Sequence, residues 1–308
     1  MTWEVTADES GSRLDKFLAA PERLRSRGRA ADALGRGKIF VNDLEVTLAD
    51  AARRLAPGDA VLAWIDRPGS ARRQHSAPSL DIVFEDQAIV LVNKPSGLLT
   101  VPLARRGDAP ALSGLLEASF RAQGKKPPLA VHRIDRDTSG LVLFARNPRA
   151  QLRLKDQFRK HEPDRVYWAV VYGVPHPLVG TWRDHLVWDK EALIQKETHP
   201  KDPRAAEAIS GYRVLERFAA TSLLEVRLQT GKRNQIRLQA RLRGHMLVGE
   251  QRYVYGPSHL RPVAFSRQAL HARQLGLRHP DTGAAVVFEA PLPADMTELI
   301  DRLRAGGG

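Results

Sequence analysis

The sequence predicts an α+β fold: a mixed, largely antiparallel sheet in a large domain, preceded by a small α/β domain at the N-terminus. Apolar runs of strand length recur through the second half of the chain. Helical patterns stand between them irregularly rather than after every strand, and no repeat of about 20–50 residues is visible. The 308 residues are enough for one large domain and one small one.

The first 65 residues are predicted to form the small domain. Leu14, Phe17 and Leu18 fall on one face of a helix. The predicted order is this helix, a second helix running towards Gly37, a strand at 38–43 and, after a Pro-Gly turn, a final strand within 54–64.

Basic residues are concentrated on the second predicted helix and just after it. Residues 1–65 contain as many acidic as basic residues, yet Asp32 is the only acidic residue between 23 and 38. Binding to RNA phosphates requires such a positive face, although a solvated surface without a partner would carry the same charges. The predicted RNA contacts are Arg25, Arg27, Arg29, Arg36 and Lys38.

Residues 66–79 contain few apolar side chains and several Pro, Gly and Ser residues, a composition typical of a flexible linker. We therefore predict a domain boundary here. The large domain would occupy residues 80–300, and a flexible tail would follow at 301–308.

Strands and helices alternate irregularly along the large domain. Residues 141–145 (Leu-Val-Leu-Phe-Ala) have no polar position at either strand parity, which predicts a strand covered on both faces. The other predicted elements are strands at 80–86, 88–92, 165–173, 207–217, 222–229 and 284–289, and helices at 110–122 and 148–158.

Charged and small polar residues are concentrated in the loop at 131–140. The loop would bring His132, Arg133 and Asp135 to the mouth of a buried sheet, where nearby arginines favour an ionised carboxylate. On these residues alone, a structural role for Asp135, paired with a neighbouring arginine, is the more common outcome.

The run His-Arg-Ile-Asp-Arg-Asp-Thr-Ser-Gly at 132–140 closely resembles the HRLDxxTSG signature of the RluA-type RNA pseudouridine synthases. This motif is long and specific, and the resemblance implies that Asp135 is catalytic and that the large domain has the pseudouridine synthase fold. NKPSGL at 93–98 matches another family signature, in which we expect Lys94 to shape the site. The small domain, with RLDKFL, GKIFVND and LAPGDAV, resembles the RNA-binding domain named after ribosomal protein S-four.

Tyr167 is the second candidate, on the strand at 165–173. A tyrosine beside a nucleotide site can stack on a base, but most tyrosines on strands are ordinary core residues. The strand matches the family pattern Lys/Arg-x-Tyr-x-Ala-x-Val-x-Gly at every defined position. The resemblance implies that Tyr167 is the active-site tyrosine.

Arg237 is the third candidate. On a helix entered at Thr-Gly, Arg233, Arg237 and Arg241 would share one face, and their repulsion calls for an anion, either RNA phosphate or a carboxylate. A solvated helix face is the alternative. The stretch resembles the family's TGRTHQIR, whose last arginine, here Arg237, ion-pairs with the catalytic aspartate; a guanidinium can grip a carboxylate bidentately.

The sequence departs from the family pattern around this arginine. Lys232, Arg233 and Asn234 replace Arg, Thr or Ser, and His, and Gln239 stands where His is usual; Glu250 replaces Asp. We expect these changes to alter contacts with RNA more than the reaction. The resemblance otherwise extends from about residue 80 to 295.

The resemblance implies isomerisation of uridine to pseudouridine in rRNA or tRNA, with Asp135, Tyr167 and Arg237 catalytic and with His132, Arg133, Lys232 and Arg233 contacting RNA. The alternatives are a non-catalytic RNA-binding or ribosome-assembly protein on the same fold, and an N-glycoside hydrolase with Asp137 as second acid. The net charge of +13 favours a polyanionic partner.

Composition excludes several other classes of function. The absence of cysteine excludes disulfides and thiolate catalysis. No signal-peptide pattern or membrane-length apolar run is found, so we expect a cytoplasmic protein, taken to be a monomer. Motifs for nucleotide and dinucleotide binding and for zinc are missing, so we expect no cofactor or metal.

Overall fold

A computed structural model describes residues 1–42, 44–65, 80–102, 110–257 and 261–306. The chain divides into two compact units, Met1–Ser79 and Leu80–Gly308. The predicted linker at 66–79 lies outside the described residues.

The first unit combines two helices with a four-stranded antiparallel sheet. Its elements are β1 (Thr2–Glu4), α1 (Leu14–Leu18), α2 (Arg27–Gly35), β2 (Ile39–Val41), β3 (Leu44–Val46) and β4 (Ala60–Ala63). The strand order is β1-β4-β2-β3. Leu14, Phe17 and Leu18 are buried, as their spacing predicts. The sequence does not predict β1 and β3, which are three residues long and each contain a glutamate, whereas the equally short β2 is apolar throughout.

The second unit is built on one mixed sheet, which has eleven strands within the described residues. Its elements are β5 (Ile82–Glu85), β6 (Ile89–Lys94), α3 (Leu112–Ala122), β7 (Leu129–Ala130), β8 (Ser139–Ala145), α4 (Pro148–Arg159), β9 (Asp164–Tyr172), β10 (Val179–Asp189), β11 (Ile194–Glu197), β12 (Ala206–Arg217), β13 (Thr221–Leu228), α5 (Gln235–Leu242), β14 (Leu270–Arg278), β15 (Ala285–Glu289) and α6 (Ala294–Arg304). The strand order is β11-β10-β12-β13-β9-β14-β8-β6-β5, with β15 beside β14 and β7 beside β8. Only β14 and β8 pair in parallel among these strands. The predicted α+β fold is therefore confirmed.

Strand β8 is buried at every position, as its uninterrupted apolar run predicts. Val142 and Phe144 face the core cluster that includes α3. Leu141 and Leu143 face the opposite cluster, which includes Ala150 and Leu154 of α4. Strand β8 is thus packed between two helices. Its N-terminal end gives the preceding loop, residues 131–140, a fixed point of attachment.

Gly140 allows β8 to approach β14 closely. Its φ is +108°, and a Cβ added there would lie 2.3 Å from the carbonyl oxygen of Ala272. A side chain at this position would therefore force the two parallel strands apart.

The C-terminal helix corrects one prediction. Helix α6 continues to Arg304, and Leu299, Ile300 and Leu303 pack into a cluster with Val170 of β9. The flexible tail expected from residue 301 is therefore wrong for residues 301–304, because helical spacing places Leu303 on the buried face. Within the described ranges, no helix is both long and apolar enough to cross a membrane.

Candidate active site

The central loop between β7 and β8 is held through its backbone. Thr100 Oγ1 donates to the carbonyl oxygen of Ile134 (2.9 Å) and accepts from the Ile134 N–H (3.3 Å). Lys94 Nζ donates to the carbonyl oxygen of Arg136 at 2.8 Å. These bonds lie on either side of Asp135 in the sequence. The position of Asp135 is therefore set by Lys94, at the C-terminal end of β6, and by Thr100 in the loop that follows it.

Lys94 is fully buried without a carboxylate in hydrogen-bond contact among the described residues. Its ammonium group also donates to the carbonyl oxygens of Pro95 (2.8 Å) and Leu98 (2.7 Å). Burial lowers the pKa of Lys94 to about 7, against the opposing charges of Asp137 and Asp135. The expectation that Lys94 shapes the site agrees with these contacts.

The Asp135 carboxylate is held at one oxygen. Oδ2 accepts from Asn234 Nδ2 at 2.7 Å and from Arg237 Nη1 at 3.3 Å. The structure thus contains the Asp135–Arg237 pair that the family resemblance implies. About a quarter of the Asp135 side chain is exposed.

Arg237 binds a second carboxylate, which the sequence does not predict. Its Nε and Nη2 donate to the two carboxylate oxygens of Glu250 at 2.7 and 2.6 Å. Burial opposes the charge on Arg237, but Glu250 and Asp135 outweigh it and raise the pKa of the guanidinium. Burial would likewise raise the pKa of Glu250, but Arg237 holds it below its ordinary value. The sequence predicts that an anion offsets the arginine charges of this stretch. For Arg237, the carboxylates of Asp135 and Glu250 do so.

Asn234, one of the departures from the family pattern, contacts Asp135. Helix α5 begins at Gln235, so Lys232, Arg233 and Asn234 form the turn before it. Asn234 is buried, and its side chain hydrogen-bonds Asp135 instead of facing the solvent. Arg233 consequently does not share the helix face of Arg237; its guanidinium lies 3.7 Å from the centre of the Trp188 ring.

A cavity of about 330 Å³ opens beside the carboxylate. Its wall includes Asp135, Tyr167, Arg165, Lys232, Asn234 and Arg237. Tyr167 is buried, and burial raises the pKa of its phenol. The volume lies at the lower end of the range of small-molecule sites, about 300–1,000 Å³.

Arg165 is a cavity residue that the sequence analysis does not single out. Its side chain is buried, and its Nη2 donates a long hydrogen bond to the carbonyl oxygen of Gln229 (3.3 Å). No carboxylate among the described residues pairs with it, and burial lowers its pKa. A Cβ on Gly231 would lie 2.4 Å from Arg165 Nη1, so the glycine makes room for the guanidinium.

His132 and Arg133, two of the predicted RNA contacts, have different surroundings. His132 stacks on Phe158, with ring centres 4.6 Å apart, and its Nε2 accepts from the Leu143 N–H at 3.0 Å. Burial lowers the pKa of His132 to about 3, helped by the charge of Arg165. His132 lines the cavity, but its acceptor nitrogen is occupied by β8. Arg133 is exposed.

Gln239, the fourth departure from the family pattern, is fully buried away from the cavity lining. Its amide donates to Asp184 Oδ2 (2.7 Å) and to the Ala208 carbonyl (3.0 Å), and it accepts from Ser210 Oγ (2.7 Å). Gln239 therefore ties α5 to β10 and β12.

The basic residues of the first unit fall into two groups. Arg25, Arg27 and Arg29 are exposed at the start of α2. Arg36 pairs with Asp32 at 2.8 Å, and Lys38 Nζ donates to the carbonyl oxygen of Ile65. The first group is the part of the predicted RNA face that is open to solvent.

Comparison with known proteins gives one consistent result. A family model described as RNA pseudouridylate synthase matches residues 88–242. The chain is 37% identical over 309 residues to a Bacillus subtilis protein named uncharacterized RNA pseudouridine synthase YlyB, with 99% of each chain covered. It is 35% identical over 317 residues to the ribosomal large subunit pseudouridine synthase D of Zymomonas mobilis, with 98% of each covered. The solved structure of human RNA pseudouridylate synthase domain containing 4 shares the fold at 22% identity, with a TM-score of 0.62 over 74% of this chain and 95% of that one.

Proposed function

The chain belongs to the RNA pseudouridylate synthase family, whose members isomerise uridine in RNA, and we propose that it acts on large-subunit ribosomal RNA with Asp135 as its catalytic carboxylate. Tyr167 and Arg237 complete the proposed catalytic group. Support for the RNA class comes from the relatives named ribosomal large subunit pseudouridine synthase D. Transfer RNA is the alternative target, and mapping of pseudouridine in cellular RNA distinguishes the two.

One observation carries the proposal for Asp135. Its Oδ2 is held by Asn234 and Arg237, while the carboxylate borders the cavity beside Tyr167. Hydrogen bonds of this kind fix the orientation of the carboxylate, which a nucleophile or general base requires. A target uridine must leave its stack to reach such a cavity, as in other enzymes that act on bases.

The reaction is an isomerisation and balances without a second substrate. The bond between N1 of uracil and C1′ of ribose breaks, the base turns over, and a bond forms between C5 and C1′. The hydrogen on C5 is lost and N1 gains one, so no redox partner is required. Asp135 could attack the ribose, attack the base or remove a proton from the ribose, and all three routes use the same ionised oxygen.

Release of tritium from RNA labelled at uridine C5 tests the proposal, because forming the C5–C1′ bond expels that hydrogen. We expect wild-type protein to release tritium from large-subunit ribosomal RNA and Asp135→Asn to release none while still binding RNA. Asp137→Asn is the matched control, since Asp137 pairs with Arg136 (2.9 and 3.0 Å) rather than with Arg237. More than trace turnover by Asp135→Asn would sink the assignment.

Two other outcomes identify the alternatives. Formation of free uracil, with complete loss of activity in Asp137→Asn, would favour an N-glycoside hydrolase. RNA binding with no tritium release from any cellular RNA would favour a non-catalytic RNA-binding or ribosome-assembly protein. Mapping pseudouridine across total RNA with and without the protein then distinguishes ribosomal from transfer RNA.

We further propose that the protein works as a monomer in the cytoplasm. The cavity lining described above comes from one chain, so the proposed reaction needs no second copy. The curated relatives are bacterial, and bacterial ribosomal RNA is made in the cytoplasm. Sedimentation of the purified protein with and without RNA would reveal a different oligomeric state.

A further inference from the structure

The two oxygens of the Asp135 carboxylate have different surroundings. Oδ2 accepts both hydrogen bonds, from Asn234 and from Arg237. Oδ1 has no hydrogen-bond partner among the described residues. The carboxylate is therefore fixed by one oxygen, and the other is free to meet a substrate.

Asn234 occupies a helix N-cap but does not cap the helix. Its φ and ψ are 52° and 24°, a left-handed conformation that asparagine adopts more readily than most residues. An asparagine here usually accepts a hydrogen bond from the first turn of its helix, and no such bond is present. The turn is held instead by Gln235 Oε1, which accepts from Thr230 Oγ1 (2.8 Å) and from the Lys232 N–H (2.9 Å). The Asn234 side chain is thus left to other partners.

Tyr253 fixes which way the Asn234 amide points. The Tyr253 hydroxyl accepts from the Gln195 N–H at 3.0 Å and donates to Asn234 Oδ1 at 3.1 Å. With its oxygen engaged, the amide can present only its NH₂ group to Asp135. The donors run in one direction along this chain of hydrogen bonds, which strengthens each of them.

Glu250 anchors both supports of Asp135. It binds Arg237 with both oxygens and also accepts from the Tyr253 N–H at 3.1 Å. Glu250 therefore positions both donors to Asp135, Arg237 directly and Asn234 through Tyr253.

We propose that Asn234 is a positioning residue that, together with Arg237, holds Oδ2 of Asp135 and thereby presents Oδ1 to the target uridine. This inference rests on the proposed function of Asp135. The donor at position 234 is an amide, which cannot titrate, whereas the family motif has histidine there. The hold on Oδ2 from this side is consequently independent of pH.

Other charged or titratable groups act on Asp135 from the surrounding elements. They are Arg237 and Arg233 around the start of α5, Lys94 at the end of β6, Tyr167 on β9, and Tyr253 behind Asn234. Asn234, unlike these groups, neither carries a charge nor titrates. Its hydrogen bond to Asp135 can therefore be removed without changing the net charge of the site.

The decisive comparison replaces Asn234 by Leu, which has a similar size but no donor. At saturating RNA we expect kcat to fall roughly tenfold to a hundredfold, the loss typical of one hydrogen bond to a charged group. RNA affinity should stay the same. Asn234→His, which again supplies a hydrogen-bond donor at this position, should restore kcat.

Asn42 provides a matched control in the other unit. It also has a left-handed backbone (φ 50°), and its Nδ2 donates to Asp59 Oδ1 at 2.8 Å. Asn42→Leu should leave kcat unchanged. Should Asn234→Leu fail to fold, Asn234→Ala removes the same donor without added bulk.

Carbon-13 NMR of the Asp135 carboxyl group separates this inference from the proposed function. At one fixed pH its chemical shift should differ between Asn234→Leu and wild type, because the variant lacks a donor to the carboxylate, whether or not the protein turns over RNA. An inactive wild type would refute the proposed function alone. An unchanged chemical shift, or a loss confined to RNA affinity, would overturn the positioning role of Asn234.

Discussion

The ammonium group of Lys94 lies 2.8 Å from the carbonyl oxygen of Arg136, the residue that follows Asp135. Because Lys94 is fully buried at the end of β6, this bond fastens the central loop to the sheet. The side chain recognises only backbone atoms in its three hydrogen bonds. Its task is to fix the path of the loop.

Lys94→Met should destabilise the second unit. The change leaves three carbonyl groups without this donor; the bond to Leu98 is buried, and one unsatisfied buried group costs about 1–3 kcal/mol. We expect a lower urea midpoint and a loss of turnover. Lys125→Met is the control, since Lys125 pairs with Glu85 at 3.0 Å on a largely exposed side chain. Equal effects of the two substitutions would contradict a fastening role for Lys94.

Stability should decline with acidity through His132. Its pKa in the folded chain is about 3, against an ordinary value of 6.5. Between these values the unfolded chain binds the proton and the folded chain does not, so the free energy of unfolding falls as the pH drops. His132→Gln should show a shallower decline than wild type between about pH 6.5 and 3, measured by urea unfolding at each pH. His199→Gln, at an exposed position, controls for the loss of a histidine; parallel curves for wild type and His132→Gln would refute the prediction.

Arg237→Met should lose both stability and activity. Removing one partner of a buried ion pair typically costs about 3–5 kcal/mol, and here it strands Glu250. The double variant with Glu250→Gln has no stranded buried charge, so its free energy of unfolding should recover substantially. Turnover should not recover, since Asp135 still lacks the guanidinium that holds its Oδ2. Recovery of activity in the double variant would show that Arg237 is needed only for folding.

The first unit should supply RNA affinity. Neutralising Arg25, Arg27 and Arg29 together should reduce the log–log salt slope of RNA binding by about 0.9 per lost phosphate contact if the RNA is duplex. Deleting residues 1–65 should weaken binding at least as much, with turnover at saturating RNA retained. Unchanged affinity and slope would mean that this unit has another role, such as binding a protein.

Gly231→Ala should reproduce the defect of Arg165→Met. The added methyl group would meet the Arg165 guanidinium at 2.4 Å and displace it from the cavity wall. We expect both variants to bind substrate RNA more weakly, because each removes an unpaired cation that can meet a phosphate. Gly114→Ala is the control, since apart from the neighbouring backbone of its own helix no atom of the described residues lies within 4 Å of the added carbon. Normal affinity in Gly231→Ala would argue against a contact between Arg165 and RNA.

Local pattern predicts the buried parts of the fold well. The apolar run of β8 and the spacing of α3 and α4 are direct signs of burial, and the structure confirms them. Strands β10 and β11 are missed because they lie at one side of the sheet, where exposed polar residues interrupt the apolar alternation. Strand β14 lies inside the sheet and is also missed, because Arg273 and Gln274 interrupt its apolar run.

The site is only partly visible in the sequence. The resemblance identifies the motifs of Asp135, Tyr167 and Arg237. Which carboxylate pairs with an arginine, however, depends on the tertiary structure. Glu250 lies 13 residues beyond Arg237 and meets it only because the chain turns back after α5. Asn234 is recognisable as a departure, while its contact with Asp135 depends on where α5 begins.

The separation of Asp135 and Arg237 by 102 residues has a consequence during synthesis. Closing so long a stretch of chain is slow, because its entropy is lost before the contact forms. The pair can form only after translation has passed Arg237, and Glu250, which holds Arg237, follows 13 residues later. The hydrogen-bonded surroundings of Asp135 are therefore assembled late in synthesis, after most of the sheet of the second unit has been made.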